Sequence, residues 1–198
     1  MTTPKNGLGI DNDLRIIHID IDQTELERNG GADLEIHAYT QDTLCIICDK
    51  IKPMNKKRGV RIDQIKITKA RLAKEYQNKF GQELSYLNVI REELPEDGIF
   101  IDELTQIGYV SRFTFPVYKP RTFLSTGYQG TLGWGLATGL GAQMVKPNVP
   151  VISIAGYGGF MYNVQEIATA VQHKIPLISI IFNDNAFGNV KKNVARKF

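Results

Sequence analysis

Cysteine is scarce in this 198-residue chain, and the two present stand together as Cys45-Ile-Ile-Cys48. No second pair completes a zinc site, and Asp42 to Ile51 reads as a helix. Both thiols are therefore expected to pack as apolar side chains rather than to do redox or metal chemistry. Long apolar runs are missing too: none approaches the ~18 residues that span a bilayer. Met1 to Asn12 is polar and lacks the apolar core of a signal peptide. A dominant charge is also lacking. Lys and Arg number 24 against 21 Asp and Glu, a net +3, which is too little to imply nucleic acid. The basic stretches Lys50 to Arg58 and Lys191 to Lys197 read as solvated surface. The three histidines, His18, His37 and His173, show no ligand spacing, so packing or surface roles are expected. These absences leave a reduced, cytoplasmic-type globular protein with neither membrane nor nucleic acid as partner.

What is present is an alternation of strand and helix signals. Leu14 to Asp22 reads as a strand, Thr24 to Arg28 as a short helix, Leu34 to Tyr39 as a second strand and Gln41 to Ile51 as a helix. That is about half of a small α/β domain, a partial Rossmann-like segment. Pro53 to Val60, charged and without periodicity, reads as a linker within residues 53–66. Two helices are expected next, Ile67 to Phe80 and Glu83 to Glu93. Strands at Ile99 to Asp102 and Thr122 to Ser125 follow, then a Gly-rich helix from Gly133 to Val145. A strand at Val149 to Ala155, a helix at Met161 to His173 and a strand at Pro176 to Phe182 complete a parallel α/β sheet flanked by helices.

The stretch from Val151 to Val190 carries the most information. Met161, Val164, Ile167, Ala168 and Val171 share one helical face and are expected to form a core-facing stripe. The strands before and after are apolar on both faces, as strands covered by helices on both sides should be. Parallel strands send both carboxyl ends to one edge, so Gly156-Tyr157-Gly158-Gly159 and Asn183-Asp184-Asn185 should lie along one rim. That rim is where open α/β sheets bind ligands. Glycines opening a helix let backbone N–H groups approach a phosphate, and amide and carboxylate oxygens are the hard ligands Mg²⁺ prefers. A diphosphate bridged by magnesium is the natural occupant. The dinucleotide alternative is weaker, because Gly133-Trp-Gly135-Leu-Ala-Thr-Gly139 has one residue too many for GxGxxG and no acidic residue at the expected distance.

With 24 residues between Gly158 and Asn183, and Asn163-Val-Gln165-Glu166 between them, this pair of motifs resembles the thiamine-diphosphate enzyme family. The family's signature is Gly-Asp-Gly followed by Asn-Asn or Asn-Asp. Ser125-Thr-Gly-Tyr-Gln-Gly-Thr-Leu-Gly133 is similar to the cofactor loop of acetolactate-synthase-like members, and Asp102-Glu-Leu-Thr-Gln-Ile107 to a loop that helps hold the diphosphate. IIHIDID resembles the tail of the family's central domain. The resemblance assigns residues 1–52 to that tail and 67–198 to the diphosphate domain. It implies cofactor contacts from Gln106, Gly130, Leu132, Gly156, Gly158, Gly159 and Asn183, with Leu132 bending the cofactor. Asp184 and the carbonyl of Ala186 would hold Mg²⁺. It implies decarboxylation of a 2-oxo acid such as pyruvate, transfer of the remainder to an acceptor carbonyl, and a homo-oligomer. In some relatives a flavin, FAD, is also bound, and Asp20 and Asp22 are the residues to watch for it.

Two departures qualify that expectation. Tyr157 stands where the family has its metal-binding Asp. A phenol keeps its proton near neutral pH and is a poor Mg²⁺ ligand. The sequence also starts within the central domain, so no residue here is nominated as the glutamate that activates the cofactor from a pyrimidine-binding domain. A partner or a further domain is expected to supply it. The competing expectation is a non-catalytic fragment or degenerate paralogue.

Overall fold

The computed structural model describes residues 15–29, 32–56, 59–127, 129–188 and 190–191. Met1 to Asn12, Leu14, Tyr128 of the cofactor loop and Lys192 to Lys197 of the basic stretch lie outside the described residues. The chain divides into two compact units, Met1–Ile62 and Asp63–Phe198.

In the first unit, β1 (Ile17–Asp20) and β2 (Leu34–His37) pair in parallel, Ile17 opposite Leu34 and Asp20 opposite His37. The crossover is α1 (Gln23–Asn29), which buries Leu26 at 2% exposure. Asp22 starts this helix by accepting from the Thr24 amide at 2.8 Å and from its hydroxyl at 2.7 Å. Those bonds hold its carboxyl below the usual range. α2 (Thr40–Ile51) buries only Thr43. Cys45 and Cys48 are free and exposed, which corrects the expectation that they pack away: among the described residues of this unit, no layer covers the face of α2 they occupy. A 3-10 turn, Lys52–Met54, takes up the start of the expected linker.

The second unit is a four-stranded, all-parallel sheet in the order β4 (Phe123–Leu124), β3 (Ile99–Ile101), β5 (Val151–Gly156), β6 (Ile178–Phe182). The period-two alternation of strand side chains sorts its core into two layers. Phe100, Ile152 and Ile154 pack with Leu87, Ile90, Leu94, Ile107, Val110 and Phe115 on one face. On the other, Ile99, Ile101 and Val151 pack with Trp134 and Ala142, while Ala155 packs with Leu136, Leu140 and Phe160. Phe100 stacks on Phe115 with ring centroids 4.1 Å apart.

The two helices expected on either side of Phe80 are found, meeting at a kink there (φ −133°, ψ 31°) within one element, α3 (Ile62–Glu93). Other expectations need correction. A helix not read from the sequence, α4 (Gln106–Thr114), follows β3 and buries Ile107, Gly108, Val110 and Ser111. α5 (Trp134–Val145) is as expected. The helix expected from Met161 to His173 is broken into α6 (Tyr157–Met161), a 3-10 turn (Val164–Glu166) and α7 (Ile167–Gln172). Asn163, with φ −128° and ψ 19°, interrupts the turn. The break rotates the apolar stripe: Met161, Ile167 and Val171 are exposed, Val171 at 73%. Val164 of the expected stripe does pack on the core, and Ala170, Ile175 and Leu177 join it there. β6 is an edge strand, so its apolar residues are only half-covered, Ile178 at 50% exposure.

Candidate functional site

Gly156 lies opposite Phe182 in the β5–β6 ladder. Tyr157 and Asn183, the next residue of each strand, therefore leave the sheet at the same carboxyl edge. A cleft of about 490 Å³ opens there. Gly156, Tyr157, Gly158 and Gly159 line it from the turn that starts α6, and Asn183, Asp184, Ala186 and Gly188 from the turn after β6. Gln106 enters from the start of α4 and Leu132 from the loop before α5. Eight residues expected from the sequence are thus gathered: Gln106, Leu132, Gly156, Gly158, Gly159, Asn183, Asp184 and Ala186. Gly130 is not on the wall; a Cβ there would stand 3.1 Å from Leu104 Cδ1, and Leu104 is itself a wall residue.

The second turn is shaped by its own side chains. Asn183 Oδ1 accepts from the Asn185 amide at 3.0 Å and Asp184 Oδ1 from the Ala186 amide at 3.2 Å. Asn185 takes a left-handed φ of 54°, a conformation asparagine tolerates better than most residues. Gly188 borders both Asp184 and Gln106: a Cβ there would lie 2.8 Å from Asp184 Oδ2 and 3.5 Å from Gln106 Nε2. Phe187, unread as a site residue, lays its ring over Gly158, where a Cβ would come within 2.5 Å of Cε1.

The charges on the wall are of one sign. Among the described lining residues, Glu83 and Asp184 are the ionisable acids, and neither Lys nor Arg is present. Among the described residues, a bare polyanion has no cation to meet on this wall. A phosphate entering with a divalent cation meets a carboxylate, an amide oxygen and helix-starting N–H groups, and this donor set suits that pair. Tyr157, 40% exposed, stands among them and supplies no carboxylate.

Residues 105–198 match the family model described as thiamine pyrophosphate enzyme, C-terminal TPP binding domain. These residues belong to the thiamine-pyrophosphate-binding domain family. The chain is 32% identical over 193 residues to the probable acetolactate synthase large subunit of Methanocaldococcus jannaschii, covering 89% of this chain and 31% of that protein. It is 37% identical over 110 residues to a probable 2-ketoarginine decarboxylase of Pseudomonas aeruginosa, covering 54% of this chain and 20% of the other. It thus spans about a third or less of the length of these relatives. A thiamine diphosphate-dependent 4-hydroxybenzoylformate decarboxylase of Rhodococcus jostii shares the fold at a TM-score of 0.63 and 22% identity, over 92% of this chain and 33% of that one.

Behind the cleft of this thiamine-pyrophosphate-binding domain lies a feature that motif reading passed over. Asp102 and Glu103, at the end of β3, are 0% and 1% exposed. Burial pushes the Asp102 carboxyl up, and its bonds from Arg112 and Ser125 pull only partly the other way. Burial likewise raises Glu103 against the pull of the Gly133 and Gly135 amides, and neighbouring Asp102 raises it further. The sequence signal was an acidic pair ending an apolar strand, IFIDE, where a carboxylate is costly unless hydrogen-bonded.

Proposed function

We propose that this chain binds thiamine diphosphate together with Mg²⁺ and serves as the diphosphate-binding part of an acetolactate-synthase-like enzyme acting on 2-oxo acids. The observation that carries the reading is the pairing of Gly156 with Phe182, which brings the glycine turn and the Asn183-Asp184 turn to one cleft. On this reading the amides of Gly158 and Gly159 and the side chain of Gln106 hold the diphosphate. Asp184 and the Ala186 carbonyl hold the metal, and Leu132 sets the cofactor's bend. Asn183 shapes the metal turn through its bond to the Asn185 amide. Residues 1–52 then correspond to the tail of a central domain and 67–198 to the diphosphate domain. Bound thiamine diphosphate supplies an electron sink for breaking the bond between a carbonyl carbon and a carboxylate.

The chain's own residues bind and orient; proton transfer to and from the cofactor falls to a pyrimidine-binding domain, supplied by the same or another polypeptide in a cytoplasmic homo-oligomer. Tyr157 supports a second reading, a paralogue with weakened metal binding, because the cleft presents a phenol where a carboxylate would balance the cation. A titration of the chain with thiamine diphosphate at several Mg²⁺ concentrations tests the proposal: affinity should rise with Mg²⁺ and fall at least tenfold in Asp184→Ala. Binding indifferent to Mg²⁺ would contradict it.

A further inference from the structure

Neighbouring residues on a strand project to opposite faces, and at the end of β3 this sends two buried carboxylates to two ends of one loop. Asp102 Oδ2 accepts from Ser125 Oγ at 3.2 Å and from Arg112 Nε at 2.6 Å. Arg112 in turn donates through Nη2 to Thr126 Oγ1 at 3.2 Å. Glu103 Oε1 accepts from the Gly133 amide at 2.5 Å. Gly133, at φ +86°, is the residue before α5, so the carboxylate sits at the amino end of a 12-residue helix, where a negative charge is favoured. The Gly133 carbonyl is held from the other side by Asn163 Nδ2 at 2.6 Å. Trp134 Nε1 donates to the Asp102 carbonyl at 2.8 Å. The glycines packed round Glu103 leave its carboxylate little room. A Cβ on Gly135 would come within 2.7 Å of Oε2, and one on Gly159 would overlap the carboxylate.

We propose that Asp102 and Glu103 are positioning residues, a two-point clamp that fixes both ends of the Ser125–Gly133 loop and so sets where Leu132 stands in the cleft. The contact with Gly159 extends the clamp to the glycine turn. The two walls credited above with holding the cofactor are thus registered to each other through one buried side chain. Burying a carboxylate is costly unless it is hydrogen-bonded, and the bonds that Asp102 and Glu103 accept from the two loop ends are what offset that cost. The clamp's bearing on cofactor binding rests on the proposed function; the clamp itself does not.

The test uses Asp102→Ala and Glu103→Ala beside Asp102→Asn and Glu103→Gln, which keep an acceptor oxygen. Hydrogen exchange is followed in the segment 125–135 and in β5, and emission is read from Trp134, the single tryptophan. The alanine variants should exchange at least tenfold faster in 125–135 with β5 within twofold of wild type, shift Trp134 emission to the red, and bind thiamine diphosphate with Mg²⁺ at least tenfold more weakly. The Asn and Gln variants should recover most of the protection. Should the alanine variants fail to fold, Thr126→Ala, which removes only the hydroxyl held by Arg112, should still raise exchange at least threefold at the loop's start. Unchanged exchange in 125–135, or an equal rise throughout β5, overturns the clamp. Equal cofactor affinity in wild type and both alanine variants overturns its role in binding. A wild type that binds no thiamine diphosphate overturns the proposed function instead, and the exchange result still decides the clamp.

Discussion

Glu103 Oε1 lies 2.5 Å from the Gly133 amide nitrogen, joining the end of β3 to the start of α5. The carboxyl is buried and titrates above its ordinary value of 4.5, as Asp102 does above 3.8. In the window between the unfolded and the folded value, the native state therefore binds more protons than the unfolded chain. Stability from this source is full below pH 4.5 and is lost as pH rises through the folded value. Glu103→Gln removes that loss. Urea midpoints at pH 5 and pH 8 should show wild type falling more than Glu103→Gln over that interval. Equal falls would mean that Glu103 titrates normally.

The glycines make a paired prediction. A Cβ at Gly108 would overlap the backbone carbonyl of Glu103, whereas one at Gly141 on α5 meets nothing within 4 Å. Gly108→Ala should cost about 1–3 kcal/mol by overpacking. Gly141→Ala should stabilise by about 0.5–1 kcal/mol through helix propensity. Chemical denaturation of both variants measures the two signs, and the same sign in both would contradict the packing described here.

Core position separates Phe100 from Val171. Phe100 is wholly buried and stacked on Phe115, while Val171 is 73% exposed. Phe100→Ala should cost about 3–5 kcal/mol, and Val171→Ser should stay within about 0.5 kcal/mol. A large cost at Val171 would restore the helical stripe that the periodicity of Met161 to Val171 suggests.

That stripe shows where sequence reading stops. The apolar run before Gly156 and the one ending at Phe182 identify β5 and β6, and parallel pairing then places both turns on one edge, as found. Local pattern carries that much because strand direction alone decides the edge. It does not carry the break at Asn163, where Asn163 Nδ2 bonds the distant Gly133 carbonyl, a contact invisible to periodicity. α4 was hidden because Gln106 and Ile107 were read only as the end of a motif loop. The exposure of Cys45 and Cys48 depends on which layer covers α2, and a helical pattern does not state that. The role of Glu103 needed Gly133, 30 residues away, to be seen beside it.

Among the described residues, Asp184 is the only carboxylate that the two turns present to the cleft. Asp184→Asn keeps the bond-accepting oxygen that orders the Ala186 amide but removes the charge. Magnesium-dependent affinity for thiamine diphosphate should fall at least tenfold, with thermal stability within a degree or two of wild type. An affinity loss seen equally without Mg²⁺ would assign Asp184 to shaping the turn alone.

The central claim is that this cleft takes thiamine diphosphate with a divalent cation, and that Tyr157 weakens it by withholding a carboxylate. Calorimetric titration of wild type and Tyr157→Asp, each with and without Mg²⁺, tests both halves at once. The account predicts that binding requires Mg²⁺ in both proteins and is at least tenfold tighter in Tyr157→Asp, about 1.4 kcal/mol or more. Equal affinity in the two proteins, or no magnesium-dependent heat in either, would contradict it.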